Sequence, residues 1–350
     1  MAARPSPAIP ATLAVPASPA TSASPATSAG PAAAGRFRRT LLAVLVTAAV
    51  TLPVAGAARP AEVPAPVPAG VPALRPGPPD VLADRLDDRY RAERAALLDA
   101  ARTAEAYGAP RRAASLRVMA GAGRRFLEFD GRDGGRSAEV VGDLARAERI
   151  AVLVPGADTG LDAYDRFRSG AVALQRESGA RTAVVAWLGY RTPATGSAAS
   201  LTPGRADQAA PRLRGFVAEL ARIRPGARIT LLGHSYGSVV CARAAAGLPA
   251  AAVVLYGSPG TGADRAADLR TDAAVWAGRS GGDWIAGVPH VRVPLLPGSE
   301  LGFGTDPVDP AFGARRFAAG DGGHSDYLAP GSVSLRGIAL IVDGREPARA

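Results

Sequence analysis

From about Asp80 the apolar positions follow two rhythms. Val81, Leu82, Leu86, Tyr90, Ala96, Leu97 and Ala100 recur near every 3.6 residues with charges between them, and Glu93 is the one break in that stripe. Such spacing puts one apolar face on a helix. Two short runs follow, Arg125–Phe129 and Ser137–Val141, joined by Asp130-Gly-Arg-Asp-Gly-Gly, which reads as a hairpin turn. Beyond them apolar runs alternate with helical stretches. The runs are Arg149–Val154, Thr182–Leu188, Arg228–Leu232, Ala251–Tyr256 and Ala273–Ala277; the helices are expected near Asp162–Ser178, Ala206–Ile223 and Tyr236–Ala246. Alternation of this kind calls for crossover connections and a mostly parallel sheet with helices on both faces.

One junction in that series carries chemistry. The run Arg228–Leu232 leads into Gly233-His-Ser-Tyr-Gly, and a small-residue helix starts at once. A strand turning sharply into a helix has no room for side chains two residues either side of the central serine, so glycines there leave Ser235 exposed at the strand's carboxyl end. The Tyr236 amide, at the helix start, then points to where negative charge would develop. A second match, Gly278-Arg-Ser-Gly-Gly, is followed by Asp-Trp-Ile-Ala-Gly-Val-Pro, which cannot continue as a long helix. Ser235 is therefore the candidate nucleophile, against the alternative of an incidental serine in a glycine-rich turn.

A serine hydroxyl needs a base, and the base needs an orienting acid. The chain has three histidines. His234 adjoins Ser235 and is expected to pack beneath the turn, and His290 lies between prolines as a loop or strand residue. His324, in the glycine-rich stretch Gly320-Asp-Gly-Gly-His-Ser-Asp-Tyr-Leu, is left as the candidate base, with a structural turn histidine as the alternative. The acid is expected between Ser235 and His324 in chain order. Asp283 fits best because it follows the run Ala273–Ala277 by a short loop; Asp264 is next, then Asp306 and Asp309. A second oxyanion donor is expected from Val154-Pro-Gly-Ala-Asp, where Gly156 lets the backbone turn and the Ala157 amide joins that of Tyr236. Arg191–Asp207 and Ile285–Phe312, rich in Gly, Pro and small polar residues, are expected to form partial covers over the site.

Composition changes the picture mainly at the N-terminus. Residues 1–35 are almost wholly Ala, Pro, Ser and Thr, too poor in large apolar side chains to bury a core, and are expected to be disordered. Residues 36–57 begin Arg-Phe-Arg-Arg, continue as an apolar stretch and end in Ala55-Gly-Ala, the pattern of a signal peptide, with an uncleaved membrane anchor as the alternative. Residues 58–79 hold eight prolines and read as a linker, leaving 80–350 as the catalytic domain with an N-terminal helical region. An extracytoplasmic location follows as an expectation, secreted or anchored at the cell envelope. The formal charge of +10 does not point to nucleic acid. Residues 1–79 carry six arginines against Glu62, so half the excess lies outside the domain, and the chain has no lysine. Cys241 is the single cysteine, so no internal disulfide can form, and no metal or organic cofactor is expected.

With these residues assembled, 80–345 resembles the α/β-hydrolase superfamily, and more narrowly an actinobacterial group of unknown function. The matching segments are Phe126-Leu-Glu-Phe-Asp, Ile150-Ala-Val-Leu-Val-Pro-Gly, Ala186-Trp-Leu-Gly-Tyr, Gly233-His-Ser-Tyr-Gly-Ser, Gly304-Thr-Asp-Pro and Gly323-His-Ser-Asp-Tyr-Leu. Ala157-Asp158 departs from the bulkier residue expected after Gly156. The resemblance implies the fold and a Ser235, Asp283, His324 triad, and implies no substrate. A small-molecule or lipid ester is the expected substrate, with acyltransferase or peptidase chemistry, or a binding protein on the same fold, as alternatives.

Overall fold

The computed structural model describes residues 62–68, 70–296 and 299–350. The expected disordered 1–35 and the signal or anchor segment 36–57 lie outside these residues. Helices α1 (Pro79–Ala106) and α2 (Pro110–Met119) lead into the antiparallel hairpin β1 (Phe126–Asp130) and β2 (Arg136–Val141). Then come β3 (Arg149–Val154), α3 (Tyr164–Ser178), β4 (Thr182–Leu188), α4 (Gly204–Ile223), β5 (Arg228–His234), α5 (Tyr236–Ala244), β6 (Ala252–Tyr256) and β7 (Ala274–Gly278). A small antiparallel pair, β8 (Arg292–Leu296) and β9 (Ser299–Gly302), precedes the short β10 (Arg315–Arg316) and α6 (Val333–Val342).

The eight-stranded sheet has the order β1-β2-β4-β3-β5-β6-β7-β10. β2 pairs antiparallel with β4, and every pairing from β4 to β10 is parallel. Successive side chains of a strand point to opposite faces, and here both faces are covered. Ile150, Val152 and Val154 of β3 join the cluster packed under α4 and α5, while Ala151 and Leu153 join the one under α3 and α6. α1 serves both: Leu82 and Leu86 belong to the first cluster, Leu97, Ala100 and Ala104 to the second.

Glu93 marks the change of cluster along α1. It is 5% exposed, and burial pushes its carboxyl from an ordinary 4.5 up to about 7, opposed by the Arg89 charge and a hydrogen bond from the Phe129 backbone. A raised carboxyl pKa means the folded state holds the proton more tightly, so the cost is absent below pH 4.5, grows as pH rises to 7 and is constant above. Glu93→Gln is expected to stabilise the fold at pH 8 by on the order of 3 kcal/mol, and to do little at pH 4. Urea unfolding at the two pH values checks this; equal gains at both would contradict it.

The segment expected as a linker is, in its described part, laid along the domain. Leu74 is buried, Glu62 Oε1 accepts from the Gly134 amide at 2.9 Å, and Arg85 donates to the carbonyls of Arg75 (3.1 Å) and Pro76 (3.0 Å). Prolines have no N–H, so arginine side chains of α1 supply the donors that a strand neighbour would. Among the described residues no helix is long and apolar enough to cross a membrane.

Candidate active site

Ser235 sits between β5 and α5 with φ 51° and ψ −126°, and is 9% exposed. A non-glycine residue there is strained, and the surroundings enforce it. Its amide donates to the Tyr256 carbonyl at 3.0 Å, and Ser238 Oγ donates to its carbonyl at 2.6 Å. Both flanking glycines are required by close approach. A Cβ on Gly233 would lie 2.6 Å from Ser238 Cα, and one on Gly237 would lie 2.3 Å from the Val154 carbonyl oxygen.

The loop after β3 lies directly against this serine. A Cβ on Gly156 would stand 2.7 Å from Ser235 Cβ and 3.2 Å from its Oγ. Ties to residues 190–195 hold the loop. The Tyr190 hydroxyl donates to Pro155 O (2.6 Å), the Asp158 amide to Pro193 O (3.0 Å), the Thr195 amide to Asp158 Oδ1 (3.0 Å) and Thr192 Oγ1 to Thr159 O (2.7 Å). Asp158, where the sequence departs from the bulkier residue expected, takes φ 59°, a conformation aspartate tolerates better than most side chains. Among the described residues, the amides of Ala157 and Tyr236 are not taken by another backbone carbonyl.

His324 and Asp283, 41 residues apart in the chain, meet with Nδ1 2.8 Å from Oδ1. Asp283 follows β7 and caps a short turn, accepting the Ile285 amide on Oδ1 at 2.9 Å; its Oδ2 accepts the Tyr327 hydroxyl at 2.6 Å. Burial of this 3%-exposed carboxyl would raise its pKa, but the donors from His324, Tyr327 and Ile285 outweigh it and hold the group below its ordinary value. Asp283 is therefore ionised at neutral pH, and His324 Nδ1 carries a proton toward it.

His234 does more than pack beneath the turn. Its ring lines the cleft, and its Nε2 lies 2.7 Å from the His324 carbonyl, which can only accept, so Nε2 is the protonated nitrogen. Burial above all, with a second imidazole close by, lowers its pKa to about 4, so it stays neutral and grips the His324 backbone. The other candidates are engaged elsewhere. His290 is a loop residue 3.3 Å from Asp306, Asp306 also pairs with Arg279, Asp264 pairs with Arg292 at 2.8 Å, and Asp309 caps the turn Pro310–Phe312.

Ser235, Gly156, Ala157 and His324 share one cleft of about 750 Å³. Its remaining wall differs from the expected one. Thr195 is the sole contributor from 191–207, and among the described residues of 285–312 none lines it; Arg166, Phe167 and Gly170 of α3 and the loop 325–330 do so instead. The reason is that the two expected covers bind each other. The Gly302 amide donates to Leu201 O at 2.7 Å, and Phe303 packs edge-on to the Tyr236 ring at 5.7 Å, on the α4/α5 side of the sheet. Trp284, 55% exposed, stands 4.6 Å ring to ring from His324 at the cleft. Among the described residues no three His, Cys, Asp or Glu side chains cluster so as to hold a metal ion.

Tyr327 has no role that the sequence alone assigns. Its signal is a phenol three residues after His324 in an otherwise small and polar loop. Arg166 and Phe167 give no signal, since their spacing is that of an ordinary helix packed on a sheet.

Residues 130–293 match the family described as alpha/beta hydrolase. The uncharacterized protein Rv2079 of Mycobacterium tuberculosis is 32% identical over 260 residues, covering 64% of this chain and 39% of that protein. The uncharacterized protein Rv0963c of the same organism is 35% identical over 144 residues, covering 37% of this chain and 54% of the relative. The chain thus spans about two fifths of the first relative's length and about half of the second's. Among solved structures, XC6422 of Xanthomonas campestris, described as an a/b serine hydrolase without lid, aligns with a TM-score of 0.41 at 20% identity, covering 66% of this chain and 98% of that one. The esterase LipW of Mycobacterium marinum aligns with a TM-score of 0.39 at 17% identity, covering 78% and 97%.

Proposed function

We propose that this chain, of which residues 130–293 match the alpha/beta hydrolase family, is a serine hydrolase acting through an acyl-enzyme on a carboxylic ester. The observation that carries this reading is the 2.8 Å His324–Asp283 bond beside a strained, cleft-lining Ser235. Asp283 holds Nδ1 protonated, which leaves His324 Nε2 as the free base. Ser235 Oγ passes its proton to Nε2 as it attacks the ester carbonyl, and the carbonyl oxygen becomes an oxyanion. The Ala157 and Tyr236 amides stabilise that oxyanion, each by about 3 kcal/mol. His324 then protonates the leaving alkoxide, the acyl group stays on Ser235, and water activated by His324 releases it as a carboxylic acid.

The cleft wall supports an ester with an apolar portion, since Phe167, Leu328 and Trp284 present carbon to it. Export through residues 36–57 belongs to the same proposal and would make an envelope or lipid ester the physiological class. A panel of p-nitrophenyl esters from acetate to octanoate tests it. Wild type is expected to show a nitrophenolate burst approaching one equivalent wherever deacylation is the slower step, and Ser235→Ala and His324→Ala to turn over at least 10³-fold slower. A folded wild type without turnover on any member would favour the binding-protein alternative.

A further inference from the structure

Tyr327 is 2% exposed, yet its hydroxyl has no freedom of direction. The Ser280 amide lies 3.1 Å from the phenol oxygen, and a backbone N–H can only donate. The phenol accepts there, so its own proton must go elsewhere, and Asp283 Oδ2 is the acceptor at 2.6 Å. The chain of donation therefore runs from Ser280 N–H to the Tyr327 hydroxyl and on to Asp283 Oδ2. The opposite oxygen, Oδ1, receives His324 Nδ1 and the Ile285 amide.

The loop that carries the imidazole thus grips the carboxylate at both oxygens, three residues apart. Nothing lets the phenol swing away. Ser334 Oγ donates to the Tyr327 carbonyl at 2.7 Å, tying it to α6, and the ring lies 5.3 Å from Tyr256 and 5.8 Å from His234. A Cβ on Gly257 would stand 3.0 Å from both the Tyr327 ring and Asp283 Oδ2. The second Gly-x-Ser-x-Gly segment, 278–282, is the seat of this grip. Ser280 supplies the amide, and a Cβ on Gly282 would lie 2.7 Å from Asp321 O, so the glycine lets the loop leading to His324 pass.

We propose that Tyr327 is a positioning residue that locks the Asp283 carboxylate in the orientation presenting Oδ1 to His324 Nδ1. The inference rests on the Ser235–His324 reading and acts entirely through Asp283, since the hydroxyl's hydrogen bonds go to Ser280 N and Asp283 Oδ2 and none goes to Ser235. Tyr327→Phe tests it in the full chain, because it keeps the ring and removes one oxygen. One hydrogen bond to a charged group is lost, so kcat for p-nitrophenyl butyrate is expected to fall about 10- to 100-fold with KM within about twofold. Fluorophosphonate labelling is expected to slow by the same factor, and the His324 Nδ1–H proton resonance to shift.

A Tyr327→Phe protein with wild-type kcat, labelling rate and Nδ1–H resonance would overturn the inference and leave Tyr327 as packing. Should that variant not fold, the hydroxyl proton of the wild-type protein supplies the test. It is expected as a resonance protected from exchange with water, and fast exchange would overturn the inference. An unlabelled, inactive wild type would instead defeat the hydrolase reading, so the two failures are distinguishable.

Discussion

Asp283→Asn is expected to lower kcat by about 10³- to 10⁴-fold while the protein stays folded. The carboxylate accepts on both sides, from His324 and Ile285 on Oδ1 and from Tyr327 on Oδ2. A carboxamide has one accepting oxygen and cannot serve both. If its oxygen faces His324, its NH₂ meets the Tyr327 hydroxyl, whose proton then loses its acceptor. If the amide is reversed, the NH₂ faces His324 Nδ1 and the Ile285 amide, which forces the imidazole into the tautomer that protonates Nε2 and removes the base. In either orientation the negative charge that stabilises the imidazolium is gone. Circular dichroism and single-turnover kinetics on an activated ester check this; a variant within tenfold of wild type would remove Asp283 from the proposed triad.

Gly156→Ala is expected to lower kcat by about 10²- to 10³-fold with little change in KM. The added methyl would stand 2.7 Å from Ser235 Cβ and 3.1 Å from the His234 carbonyl oxygen. Neither atom can give way. Ser235 is held at φ 51° by its bond to Tyr256 O, and the His234 carbonyl belongs to β5. The loop 155–160 must move instead, carrying the Ala157 amide away from the position the oxyanion would occupy. Ala157→Gly, which keeps that amide and removes only the methyl, is expected within a few-fold of wild type. Steady-state kinetics of the pair separates the two effects, and equal losses in both variants would assign the loss to general loop loosening.

Much of this arrangement is legible in the sequence. The strand runs between Arg149 and Ala277 are apolar at most positions because both faces of the sheet are covered, and that signal places the strands within a residue or two. Scarcity makes His324 legible, since only three histidines compete, and Asp283 follows from its place just after β7. What stays hidden depends on long-range contacts. The segment 285–312 has no period to read, and its place is set by the Gly302–Leu201 bond and the Phe303–Tyr236 contact, so no local pattern tells whether it covers the cleft. α2 leaves no clear stripe because its ten residues bury only Ala113, Leu116 and Met119, and the apolar run of α6 reads equally as strand or helix. Tyr327 is illegible because a buried phenol's role lies in its partners, Ser280 and Asp283, both more than forty residues away.

The most direct measurement is mass spectrometry of the purified protein after reaction with a fluorophosphonate, with the adduct located by peptide mapping. One equivalent on the peptide containing Ser235, absent in Ser235→Ala, is the expected result. No adduct on the folded protein, or an adduct on Ser280 that persists in Ser235→Ala, would contradict the reading of Ser235 as the nucleophile.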